Sequence, residues 1–271
     1  GRRDLFHGVP LNSNLCYSNP AVRRAMVTPI TAYARAQPEV HAIHLWLADG
    51  SNNNCECPRC RKARPADIYV DLLNELDAEL SAAGISTRIV FLIYVDLLWP
   101  PIHSRLRNPG RFVLMFAPIT RLYSESFTGA QRRGRTTPFV LNKLDFPKGA
   151  ADNIAYLQAW RKQFHGEGFD FDYHLIWACY YDLSMMTIAS VLHQDLQGLR
   201  KIGLHGFNSC QNQRQSFPHN LAMDVMARTL WNRNLPLARI RKESFADAFG
   251  PDGVHVASFY GNIARLWRPL F

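Results

Sequence analysis

A short apolar run that breaks off abruptly constrains this chain most. Ile43 to Ala48 has the length of a buried strand, and it stops at Asp49-Gly50, a run of asparagines, and then Cys55, Cys57 and Cys60. Such a strand hands a carboxylate to a loop. In parallel α/β architectures ligands bind beyond the C-terminal ends of strands, so Asp49 is the first candidate for chemistry and the cysteines are the clamp on the loop behind it. The competing reading of Asp49 is an Asx-turn or helix-cap residue.

The rest of the chain repeats the alternation. Ser18 or Asn19 caps a helix that starts at Pro20 and runs to about Gln37; a second helix begins at Pro65 and stops at Gly84. Further strands are expected at Arg88–Tyr94, Phe112–Ala117, Phe171–Cys179 and Leu204–Asn208, with helices after Asp152 and Ser184. Between them, Ser124 to Lys148 is polar, basic and without period, an excursion of the kind that long ordered loops make. From Pro218 onward the pattern is helical only.

Parallel strands joined by helices leave an open doubly wound sheet and a barrel in competition. No glycine-rich phosphate loop follows any strand, whereas polar and aromatic residues crowd every strand exit, which is the habit of a barrel. The expected fold is therefore a (β/α)8 TIM-like barrel over residues 1–217, followed by a helical region, 218–271, packed on it. About five or six strands are visible where eight are needed, so the expectation is that two or three lie before Gly1 in a longer natural protein or that the barrel is incomplete.

Composition narrows the function classes. With 47% hydrophobic and 20% charged residues the chain has a sizeable core, and no apolar run reaches the roughly 18 residues needed to span a bilayer. It opens without a recognisable leader, so compartment must be read from the cysteines: cytoplasmic if they bind metal, extracellular if they form disulfides. The formal charge of +9 raises nucleic acid as a partner, but the basic residues come in scattered pairs such as Arg23-Arg24 and Arg132-Arg133, which a solvated surface explains better than a phosphate track.

Several of these motifs carry a resemblance. Asn14-Leu-Cys16-Tyr-Ser-Asn-Pro20, Trp46-Leu-Ala-Asp49-Gly50 leading into Cys55-Glu-Cys57-Pro-Arg-Cys60, Tyr94 with Pro100-Pro101, Arg121 with Tyr123, Asp172-Tyr-His174, Ser209-Cys-Gln211 and Thr229-Leu-Trp231-Asn together resemble the bacterial DUF4838 family over nearly the whole chain. The resemblance implies a barrel of glycoside hydrolase type, near the hexosaminidase and alpha-glucuronidase groups, acting on a saccharide. Ala48 departs from it, since related proteins often carry Asn there.

Glycosidic cleavage usually employs two carboxyls, about 5 Å apart for retention and wider for inversion. Asp49 and Asp96 are the first pair; Asp182 is a reserve, and Asp172 reads as a structural ion pair. Tyr94 accompanies Asp96 at one strand exit. Trp99, Tyr123, Trp177 and Tyr180 are candidates to stack on sugar faces, and Arg121, His174 and Gln211 to hydrogen-bond hydroxyls or a uronate carboxylate. Trp177 and His174 also fit a plain core role, being inside an apolar strand. A sugar-binding protein without catalysis is the alternative, with a metal-stabilised nucleic-acid binder behind it.

Of the six cysteines, Cys179 and Cys210 read as small apolar side chains. Cys55, Cys57 and Cys60 have metal-ligand spacing, with Cys16 the fourth ligand for a structural zinc; two disulfides or free thiols are the alternatives, and an iron–sulfur cluster a minor one.

Overall fold

The computed structural model describes residues 13–129, 133–176, 178–211 and 219–268, which fall into two compact units. The first takes in the described residues up to Ala117 together with Arg135–Phe146 and Ala155–Phe169; the second comprises Pro118–Gly134, Pro147–Ile154 and the described residues from Asp170 on.

In the first unit Asn19 caps α1 (Pro20–Ala36), its side chain accepting the Ala21 N–H at 3.0 Å, with Pro20 in the first turn. Three parallel strands follow in chain order: β1 (Ala42–Leu45), β2 (Arg88–Ile93) and β3 (Phe112–Phe116), registered Ala42 with Arg88 and Ile89 with Phe112. Between β1 and β2 runs α2 (Pro65–Ala82), which inserts Leu72, Leu73, Leu76 and Leu80 without exposed surface. Successive β2 residues Ile89 to Ile93 are all buried, the continuous apolar run of a strand covered on both faces.

β1 is shorter than its apolar run because a side chain takes over its ladder. The buried Tyr69 hydroxyl donates to the Leu45 carbonyl at 2.6 Å and accepts the Leu92 N–H at 3.1 Å, so the phenol replaces the next strand-to-strand bond. Trp46 to Asp49 are thereby released from the sheet into the loop.

After β3 the chain forms α3 (Ala150–Arg161). The second unit contains β4 (Gly168–Leu175) from Asp170 on and β5 (Phe207–Gln211), which pair in parallel with a bulge between Asp172 and Leu175. Between them stands α4 (Met186–Gly198), its first turn held by Asp182, whose two oxygens accept the N–H groups of Ser184, Thr187 and Ile188. The reserve carboxyl of the sequence reading is thus a buried helix cap. Three helices complete the unit: α5 (Leu221–Trp231), α6 (Leu237–Phe249) and α7 (Gly253–Trp267), with Phe245, His219 and Tyr260 clustered edge to face. Gly253 lets α7 approach α6 closely, since a Cβ there would fall 2.5 Å from the Phe245 carbonyl oxygen.

The (β/α)8 barrel is corrected by this architecture. A barrel needs eight strands; the described residues form five, paired in parallel within each unit, and after β5 the chain has only helical periodicity, so no further strand is available among them. Crowded strand exits, the feature that favoured a barrel, are common to open parallel sheets, where ligands also bind beyond the strand ends.

Asp67, at the start of α2, is the most heavily used carboxylate of the first unit. It is buried; one oxygen accepts the Arg64 N–H at 3.1 Å and the other the N–H groups of Ile102, His103 and Ser104 at 2.9, 2.7 and 3.0 Å. Asp67→Ala strands these donors and lowers stability in urea unfolding by about 3 kcal/mol or more. Asp71→Ala, which removes one exposed bond to Ser104, changes it by less than about 1 kcal/mol. Equal, small effects would show that Asp67 does not organise this corner.

Candidate functional site

The exits of β1 and β2 form one shallow depression, and Trp46, Asp49, Tyr94 and Asp96 are among the residues lining it. Release of Trp46–Asp49 from the sheet leaves Asp49 exposed and Trp46 partly so, with the Trp46 ring centroid 6.2 Å from that of Tyr94. The Tyr94 hydroxyl donates to Asp49 at 2.9 Å. After Tyr94 the chain turns sharply: Val95 has φ of 39°, a left-handed conformation costly for a β-branched residue, and a 3₁₀ turn over Val95–Leu98 then carries Asp96 inward.

Asp96 is 4% exposed, and both its oxygens accept a single backbone donor, the Asn52 N–H, at 3.2 and 3.0 Å. Burial raises its pKa to about 6, against the opposing pull of that N–H. One depression thus contains a carboxyl that keeps its proton in mildly acidic solution and a second, exposed carboxylate held by a phenol.

The loop that supplies the Asn52 donor is braced from two sides. Asn14 accepts the Ala48 N–H at 3.2 Å and donates to the Asn53 side chain at 2.9 Å. Asn52 exchanges bonds with the Leu144 backbone at 2.7 and 3.3 Å, while Asn142 accepts the Asn54 N–H at 2.8 Å and donates to the Asn54 carbonyl at 2.9 Å. The segment 135–146, read from sequence as a surface excursion, is therefore a brace. Beside it the sulfurs of Cys16, Cys55, Cys57 and Cys60 all lie within 4.8 Å of one another, and none is in a disulfide. Backbone N–H groups of Cys60 and Arg59 and the Ser18 hydroxyl draw the Cys57 thiol down to about 6.

Other sequence candidates lie elsewhere. Trp99 is 2% exposed, its ring among those of Phe139, Phe146 and Tyr156 and its N–H on the Thr137 carbonyl at 2.8 Å, which is a core position rather than a sugar platform. Arg121, Tyr123 and His174 meet in a buried network of the second unit. Arg121 donates to Asp172 at 3.0 Å, to Asp195 at 2.6 Å and to the Glu125 carbonyl at 2.7 Å; His174 bonds Asp195 at 2.9 Å, and Tyr123 donates to Asp172. The side chains of Arg121, His174 and both aspartates have no exposed surface, so the Arg121 fork is spent on protein groups rather than a ligand. Asp172 is the structural ion pair its sequence position suggested. Tyr180 is exposed, Gln211 is exposed at the end of β5, and Trp177 lies outside the described residues.

Sequence reasoning missed Asp195, Asn52 and Asn142. Asp195 reads as one polar residue on an apolar helix, and the asparagines matter through backbone geometry, two of them at left-handed φ, which only an asparagine-rich loop hints at.

Together, the parallel strands and their intervening helices define an α/β protein, with a carboxyl–aromatic depression at two strand exits as its candidate site. Residues 2–261 match the family model of the domain of unknown function DUF4838, and the chain belongs to that family. No curated protein and no solved structure matches it. No helix among the described residues is long and apolar enough to cross a membrane.

The buried network carries one further carboxyl. Asp170 shares the face of β4 with Asp172 and has no exposed surface; burial first, then the neighbouring charge of Asp172, raises its pKa well above the usual range. The folded chain thus holds a proton that the unfolded chain releases near pH 4, and stability is lost as pH rises from there. Asp170→Asn removes that penalty: its melting temperature relative to wild type rises with pH above about 4. A difference independent of pH would show Asp170 to be ionised in the folded protein.

Proposed function

We propose that this protein hydrolyses a glycosidic bond, with Asp96 as the proton donor and Asp49 as its partner carboxylate. The observation that carries the reading is that both groups line one depression, Asp96 buried and raised to about 6 and Asp49 exposed. Two carboxyls with environments that differ in this way can divide acid and base roles between them.

In this reading Trp46 supplies the apolar face on which a sugar ring rests, and Tyr94 orients Asp49 through its hydroxyl. Asp96 donates to the leaving oxygen as the bond breaks, and Asp49, from the more open side, assists water or the sugar cation. The substrate is a saccharide; its identity is set by groups around this depression rather than by the buried Arg121 network.

The test is turnover on a panel of aryl glycosides and uronides. Asp96→Asn lowers kcat by roughly 100-fold or more while circular dichroism stays unchanged, and Asp49→Asn also removes most activity. Because the donor must be protonated, the wild-type rate falls as pH rises past about 6. Wild-type turnover in both variants would sink the proposal. Saccharide binding with no turnover by the unaltered protein would replace it with a binding role.

A further inference from the structure

We infer that Cys16, Cys55, Cys57 and Cys60 together bind one structural zinc ion that fixes the loop behind Asp49. The sulfur positions match a tetrahedral thiolate shell. Four thiolates at about 2.3 Å from zinc in a tetrahedron stand about 3.8 Å apart. The Cys16 sulfur is 3.7 Å from that of Cys57 and 3.9 Å from that of Cys60, and the four sulfurs all lie within 4.8 Å of one another. A disulfide requires sulfurs at about 2.05 Å, far inside these separations.

The surroundings suit a thiolate centre. Arg59, Arg61 and Lys62 stand within the same short stretch of chain, offsetting the net negative charge of a divalent ion with four thiolates. The Ser18 hydroxyl lies 3.0 Å from the Cys60 sulfur and 3.7 Å from that of Cys57, providing a polar contact outside the shell. Each cysteine binds as a thiolate, so loading one ion releases to solvent whatever thiol protons the four still carry.

Four sulfur ligands complete the tetrahedron and leave no open position for water, which makes the ion structural rather than catalytic. What it would hold is specific. Cys16 follows Asn14, which bonds Ala48 and Asn53; Cys55 follows the asparagines that reach Asp96 and the 135–146 brace. Joining Cys16 to the Cys55–Cys60 turn therefore ties together the two segments that flank Asp49. This inference does not depend on glycoside hydrolysis, and either can fail alone.

The full chain, purified without chelator or reductant and dialysed, is analysed by plasma mass spectrometry and by thiol labelling after denaturation with chelator. Zinc at one ion per chain, with all six cysteines labelled, is the expected result. Cys57→Ser and Cys60→Ser each lose the ion, whereas Cys179→Ala and Cys210→Ala keep it. Because ligand variants are able to unfold, the wild-type protein is also reloaded with cobalt(II), which gives the intense visible bands of tetrahedral thiolate coordination. Metal-free protein that takes up neither zinc nor cobalt, labelling of only two cysteines, or iron in place of zinc would overturn the assignment.

Discussion

One backbone N–H reaching a buried carboxyl holds the first unit's site together. Asn52 donates to both oxygens of Asp96, and through that contact the loop after β1 is set against the turn after β2. The loop can present this donor because Asn52 itself takes a left-handed conformation, and it stays there because its side chain is exchanged with the Leu144 backbone. The contact is too weak to offset burial, so Asp96 remains raised to about 6. An acid whose folded value exceeds its unfolded one costs stability as pH rises from about 4 to about 6, and the strained Val95 adds to that cost. The Leu-rich face of α2 and the fully covered β2 supply the surplus that tolerates both.

The second unit solves a different problem with the same residue types. There a single guanidinium bridges Asp172 of β4 and Asp195 of α4, with Phe127 donating its N–H to Asp195 at 2.6 Å. A strand, a helix and the 118–134 segment converge on one cation. Buried pairs of this kind add little against an apolar core of equal volume, but removing one partner leaves an uncompensated charge and costs several kcal/mol. From sequence, Arg121 and His174 read as hydrogen-bond donors to a ligand, His174 equally as a core residue, and Tyr123 as a stacking ring; all three serve as internal fasteners.

Much of the secondary structure was legible, because helix periods and caps are local. Asn19-Pro20 marks the start of α1, Gly84 the stop after α2, and α5 runs from Leu221 to Trp231 as its period implies. Strand ends were less legible: Tyr69, far along the chain, decides where β1 stops, and β4 begins and ends earlier than its apolar run suggests. The strand count failed for a physical reason, since polar strand exits are shared by open sheets and barrels alike. At the site, Asp49, Tyr94 and Asp96 were visible as residues beyond apolar runs and do share one depression. Trp99 and Arg121 looked equivalent from sequence, yet burial sends them inward, and burial depends on partners such as Tyr156 and Asp195 that lie far along the chain.

In the folded protein Asp96 keeps its proton where an ordinary aspartate has lost it. Carbon-13 NMR of the side-chain carboxyls through a pH titration, with the Asp96 resonance assigned by its absence in Asp96→Asn, reads this directly. A midpoint of about 6 is the predicted result. A midpoint near the ordinary aspartate value of about 3.9 would contradict it, because Asp96 would then be ionised and unable to act as the acid.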